Sequence, residues 1–152
     1  MIALLQRVSQ AQLCIAGQTH CAIERGVVAL IGVERTDTAQ QAERLAQRIL
    51  AYRLFADAQE RMNLSLHDLN AGLMLVPQFT LAADTRKGHR PSFTPAAPSE
   101  QGQALFTHLL HTAQAQHQPV VSGVFGADMQ VHLINDGPVT FWLQVQARDT
   151  QG

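Results

Sequence analysis

The stretch Asn135-Asp136-Gly137-Pro138 separates two strand-like runs, Met129 to Ile134 and Val139 to Val145, and limits more than any other feature how this chain can run. Glycine reaches positive φ without steric cost, and proline arrives with φ held at about −65°. Turn chemistry of this kind predicts a hairpin between the flanking strands. A Gly-Pro bond is also one of the few open to a cis peptide. Trans is favoured there by only about 0.5–1 kcal/mol, against roughly 2.5–4 kcal/mol elsewhere.

The rest of the chain supplies the frame. Ile2 to Ala16 has strand composition, Ala16-Gly17-Gln18 turns into a second strand ending near Glu24, and Val27 to Val33 is an unbroken apolar run. Such a run suits a strand covered on both faces. Arg7 is the one charge in the first strand; it either faces water, the commoner solution, or forms a buried hydrogen-bonding clamp. Thr36-Asp37-Thr38 offers N-cap side chains for a helix to about Phe55, with Ala42, Leu45, Ala46, Ile49 and Leu50 on its core face. Residues 57–72 read as a connection with short local structure. Leu73 to Leu81 then reads as a strand with Pro77 in its middle. Proline cannot donate to a ladder, so it must meet an edge, a bulge or an opening, and the N–H groups of Gln78 to Thr80 are left to point elsewhere.

Pro98 opens a second helix to about Gln116, with Ala104, Leu105, Leu109 and Ala113 facing the core. Three more strands follow: Val120 to Phe125, Met129 to Ile134 and Val139 to Val145. Two long helices among about eight strands predict an α+β fold. It would be a single domain over residues 1–152, with packed, mainly antiparallel, barrel-like β-sheets, the helices outside and the last few residues a tail.

A net charge of −1 excludes a binder that is basic all over, so any RNA contact must be local. The densest basic cluster is Arg86-Lys87-Gly88-His89-Arg90, which holds the only lysine and leads into Pro91-Ser92-Phe93. A mobile cationic loop beside an aromatic can hold an RNA end. Cys14 and Cys21 lack a metal-binding or redox spacing and read as buried thiols. The histidines are scattered; His108 and His111 sit three apart on a helix with no local carboxylate and read as surface residues. No metal and no cofactor is predicted. There is no signal-like N-terminus and no apolar run long enough to span a membrane, so a cytoplasmic protein is expected.

Gln78-Phe79-Thr80-Leu81, followed by Asn135-Asp136-Gly137-Pro138-Val139-Thr140, resembles the paired motifs of the D-aminoacyl-tRNA deacylase (D-tyrosyl-tRNA deacylase) family. The likeness runs from Met1 to about Val145 and includes Gln6-Arg7-Val8, Met62-Asn63-Leu64, Arg90-Pro91-Ser92-Phe93, Ala127-Asp128-Met129 and Phe141-Trp142-Leu143. The resemblance implies a homodimer, with active sites at the interface, that hydrolyses the ester between a D-amino acid, or glycine, and the terminal adenosine of tRNA, sparing L-aminoacyl-tRNA. It further implies a cis Gly137-Pro138 bond whose turn enters the partner subunit's site, receives the substrate's α-amino group and excludes an L side chain. Arg7 would hold that turn and Phe125 would lie against the adenine; the charge of the basic loop, read by itself, assigns Arg86, Lys87 and Arg90 to the tRNA end. The family usually has Ser where this chain has Pro77, Ala where it has Gly126, and often Arg where it has Val124.

Gln78, Phe79 and Thr80 are the candidate catalytic residues. A Thr80 nucleophile needs a base that nothing nearby in sequence supplies. The family resemblance points to water assisted by the ribose 2′-hydroxyl, with the N–H groups of Phe79 and Thr80 as oxyanion donors. Two other readings remain open: an editing deacylase for a mischarged L-amino acid, and a catalytically silent binder of the tRNA acceptor end disabled by Pro77.

Overall fold

The long first strand is the one on which the others are laid. In a computed structural model describing residues 1–150, β1 (Ile2–Ile15) pairs antiparallel with three neighbours. β2 (Gln18–Ile23) covers its C-terminal half and β3 (Gly26–Gly32) its N-terminal half, while β8 (Met129–Gln144) runs along its other edge. Gln151 and Gly152, the end of the expected tail, lie outside the described residues. Ala16 and Gly17, at φ 51° and 76°, make the anticipated turn into β2.

From β3 the chain passes through α1 (Ala39–Ala51), a small hairpin of β4 (Phe55–Ala56) and β5 (Met62–Leu64), and the single turn α2 (Leu66–Leu69). It returns as β6 (Gly72–Pro77), parallel to β3; α3 (Ser99–Gln116) then leads to β7 (Val120–Ser122), parallel to β6. The six-stranded sheet is therefore mixed. Its parallel half contains the unbroken apolar runs, as strands covered on both faces require. Gly26 stands opposite Gly72 where β3 and β6 begin. A Cβ on Gly26 would run into the Gly72 backbone, with the carbonyl carbon at 2.7 Å and the amide nitrogen at 2.8 Å.

Two apolar clusters hold the sheet. One lies beneath the helices, where Leu5, Ala29, Leu73 and Leu75 meet Leu45, Ile49 and Leu50 of α1 and Phe106, Leu109 and Ala113 of α3. In the other, Val8, Leu13, Ile23, Val28, Met74 and Val76 pack inside the curl of the sheet, which brings β2 over to β7. There the Cys21 thiol donates to the Ser122 carbonyl at 3.5 Å, and burial pushes its pKa up. Cys14 and Cys21 are both half-buried, and cross-strand pairing puts Cys21 opposite Leu13 and Cys14 opposite Thr19, on different faces.

Several expectations shift. α1 stops at Ala51 rather than near Phe55, because Leu54 and Phe55 are needed in the core and the chain turns extended at Tyr52. The buried face of α3 is Gly102, Phe106, Leu109 and Ala113; Ala104 is exposed. His108 does have a carboxylate partner, Glu43 of α1 at 2.8 Å. His117 is buried, with Nε2 at 2.6 Å from the Ala71 carbonyl, beside a second cis proline bond at Gln118–Pro119. No helix among the described residues is long and apolar enough to cross a membrane.

Candidate active site

The hairpin expected at Asn135 to Pro138 does not form. Both flanking runs belong to β8 and pair with the same strand in the same direction: Asn135 stands opposite Val8 and Thr140 opposite Gln6. Asp136 to Val139 therefore all face Arg7 alone, as a wide bulge pushed out of an edge strand. Pairing with β1, contributed from the far end of the chain, overrides the local turn preference.

Two side chains, Arg7 and Asn135, fasten the bulge. Arg7 is mostly buried; its Nε donates to the Asp136 carbonyl and its terminal nitrogen to the Leu54 carbonyl, both at 2.9 Å. The outward-facing reading of Arg7 is thus wrong, and the clamp implied by the family resemblance is what the side chain forms. Asn135 closes the base: its Oδ1 accepts from the Val139 N–H at 2.7 Å and its Nδ2 donates to Thr140 Oγ1 at 3.0 Å. That role for Asn135 was legible only as turn chemistry, in which a short amide mimics a backbone partner. Gly137–Pro138 is cis, and Gly137 has φ 149°. A Cβ there would meet Val139 Cγ2 at 2.6 Å and Val139 N at 2.8 Å, so the tip admits only glycine.

The second feature lies where β6 ends. The Gln78 N–H still reaches the Ile31 carbonyl of β3 at 2.7 Å, and the chain then winds into a single 3₁₀ turn, Phe79–Ala82. The expected strand to Leu81 is therefore four residues too long. Pro77 faces the β7 side, where pairing stops at Ser122 opposite Leu75, so its missing N–H removes no ladder bond. The first hydrogen bonds of the turn come from later N–H groups, starting with Leu81 to Gln78 at 3.2 Å. The Phe79 and Thr80 N–H groups come before these and have no backbone acceptor among the described residues, as at any helix start. The Thr80 hydroxyl accepts from the Gln78 amide, and among the described residues no imidazole or carboxylate bonds to it.

A cavity of about 210 Å³ opens beside this turn, lined by Pro77, Phe79, Ala97, Ser99, Phe125 and Gly126. Phe125 also covers Gly102 of α3; a Cβ there would touch its ring at 3.2 Å. A larger hollow, lined by residues of β1, β2 and β8, contains none of the candidate catalytic residues.

The basic loop is held more firmly than expected. Asp84 and Ser92 exchange backbone hydrogen bonds at 2.7 and 3.0 Å, closing its neck. Arg86 makes a bidentate pair with Asp84 at 2.9 and 2.8 Å, which holds the Asp84 carboxyl well below the usual range, at about 2. Arg86 is thus already partnered, and Lys87, His89 and Arg90 are exposed at the tip.

Within one chain the bulge and the 3₁₀ turn do not adjoin along the sheet. The bulge is level with Arg7, Val27 and Leu73 across β1, β3 and β6, whereas Gln78 lies five residues beyond Leu73. Three strand spacings of about 4.8 Å across and five rises of about 3.3 Å along put them about 22 Å apart on the diagonal of the sheet.

A family model described as D-Tyr-tRNA(Tyr) deacylase matches residues 4–144. A D-aminoacyl-tRNA deacylase of Thioalkalivibrio sulfidiphilus is 63% identical over 145 residues, 95% of this chain and 97% of its own length. One of Methylococcus capsulatus is 58% identical over 144 residues, covering 95% of this chain and 94% of its own length. A solved structure described as c-Myc DNA Unwinding Element Binding Protein has TM-score 0.92 at 36% identity, covering 97% of this chain and 100% of that one. A probable eukaryotic D-amino acid tRNA deacylase, at TM-score 0.81 and 18% identity over 95% of this chain and 98% of its own, shares the fold.

Proposed function

The chain belongs to the D-aminoacyl-tRNA deacylase family, and from that premise we propose how its residues carry out the hydrolysis. The enzyme cleaves the ester between a D-amino acid and tRNA. Its working unit is a homodimer in which the bulge of one protomer enters the site of the other. The terminal adenine sits in the cavity against Phe125, and the ester carbonyl lies over the 3₁₀ turn. There the N–H groups of Phe79 and Thr80 stabilise the oxyanion, and the Gln78 amide holds the Thr80 hydroxyl back from the reacting carbon. The ribose 2′-hydroxyl assists the attacking water. Lys87 and Arg90, with Arg86 beside them, draw in the phosphates of the acceptor end. Its substrate places the protein in the cytoplasm.

Handedness follows from the backbone. Carbonyls at Gly137 and Pro138 of the partner subunit receive the α-amino group, and a main-chain wall stands where an L side chain would project. A D side chain points outward, and glycine has nothing to clash. Because no side chain does the sorting, the enzyme is broad in amino acid and strict in configuration, glycyl-tRNA included. An editing site for one L-amino acid would instead need a pocket lined by side chains.

The observation that carries this reading is the Arg7-fastened bulge, protruding from an edge strand about 22 Å across the sheet from the amides it would serve. Pro77 does not argue for a silent binder, since the turn and its free amides form beyond it. The test is single-turnover deacylation of D-Tyr-, L-Tyr- and Gly-tRNA by the purified protein. The expected result is rapid loss of the D and glycyl esters, with the L ester spared by at least about 100-fold, as backbone exclusion worth about 3 kcal/mol would give. Comparable hydrolysis of the L ester would overturn the assignment.

A further inference from the structure

The aromatic surface does not end at the cavity. Phe79 forms its lip and is 56% exposed, and its ring stands 5.2 Å from that of Phe93, itself 42% exposed, at an angle of 53°. Two large apolar rings left in water beside one another are unusual unless something covers them. Phe93 is held on a fixed support. Its carbonyl accepts from Ala96 N–H at 3.0 Å, and the neighbouring Thr94 and Pro95 carbonyls are both bonded by Arg35, each at 2.9 Å. The closed neck Asp84–Ser92 lies immediately before it, so the exposed Lys87 and Arg90 rise from the loop that ends at this ring.

We propose that Phe93 is a binding residue for the unpaired nucleotide preceding the terminal adenosine: its ring offers a stacking surface for that base, with Lys87 and Arg90 facing the adjoining phosphates. Adjacent aromatic rings flanked by cations are the surface that single-stranded nucleic acid selects, because every base has a face to stack and every linkage a charge to neutralise. The cavity takes one base, Phe79 separates it from Phe93, and the second ring lies one step outward along the path an RNA end must follow. The inference rests on the deacylase reading of the site and extends it to the nucleotide before the ester.

The experiment compares two esters, D-Tyr-tRNA and D-Tyr-adenosine, the second lacking every nucleotide before the last. For Phe93→Leu, the ratio of kcat/KM on the tRNA ester to that on the adenosine ester falls about 5- to 100-fold, carried mainly by KM, as loss of one stacked base predicts. Phe93→Tyr, which keeps the ring face, restores the ratio. If both esters lose rate together, Phe93 only props up Phe79 and the proposal is overturned; an unchanged ratio overturns it equally. A parent protein inactive on both esters overturns the deacylase reading, and this inference with it.

Discussion

Thr80→Pro lowers single-turnover deacylation of D-Tyr-tRNA by about 10²–10³-fold, while Thr80→Ala stays within about threefold of the parent, because in the proposed mechanism the working donor at this position is an N–H and not a hydroxyl. Removing one oxyanion donor of this kind typically costs about 2.7–4 kcal/mol of transition-state stabilisation. Proline removes this N–H, which has no internal partner in the turn, and its own φ is already close to helical. The 3₁₀ turn begins one residue earlier, at Phe79, and Thr80 is exposed, so neither replacement disturbs the core. The pair of variants separates the two chemistries. A nucleophilic Thr80 would make the alanine variant the dead one, yet its hydroxyl is bonded to the Gln78 amide with no base in reach among the described residues.

Arg7→Ala reduces kcat/KM for D-Tyr-tRNA by on the order of 100-fold and narrows the D-to-L preference, with a smaller effect on thermal stability. One guanidinium ties the Asp136 carbonyl in the bulge to the Leu54 carbonyl behind it. Hydrogen bonds from a charged donor are worth about 1.5–3 kcal/mol each, so releasing the bulge leaves only a few per cent or less of it in the competent shape. Arg7→Lys does not rescue, since an ammonium at the end of a flexible stem cannot reproduce the planar fork that bonds both carbonyls at once. Melting curves and deacylation of both D and L esters by the two variants check the prediction.

The parts of this site that could be read in the sequence are those set by local chemistry. Proline within an apolar strand had to mark an opening, and Pro77 does; glycine before proline had to mark an unusual backbone, and Gly137 does. The unbroken run at Val27 to Val33 announced a strand covered on both faces, which is where the parallel pairing lies. What escaped depends on partners far away in the chain. Turn residues between two strands predict a hairpin until β1 is found pairing with both runs, and no local signal carries that register. Arg7 looked outward because its two acceptors lie 47 and 129 residues away. α1 was read too long because Leu54 and Phe55 continue its apolar pattern, although the core takes them in extended form. The Phe79–Phe93 step escaped because Phe79 reads as part of a strand and Phe93 as the aromatic beside the basic loop, and nothing local brings the two rings together.

The central claim is that each bulge serves the site of the other protomer. Arg7→Ala and Thr80→Pro chains, carrying different tags and co-expressed, can be purified as the mixed dimer and tested on D-Tyr-tRNA. In that dimer one site combines the intact turn of the Arg7→Ala chain with the intact bulge of the Thr80→Pro chain, so the account predicts recovery to about half the parental rate per dimer, one site of two. A mixed dimer no more active than the two single-variant homodimers would mean that the bulge acts on its own chain, and would contradict the account.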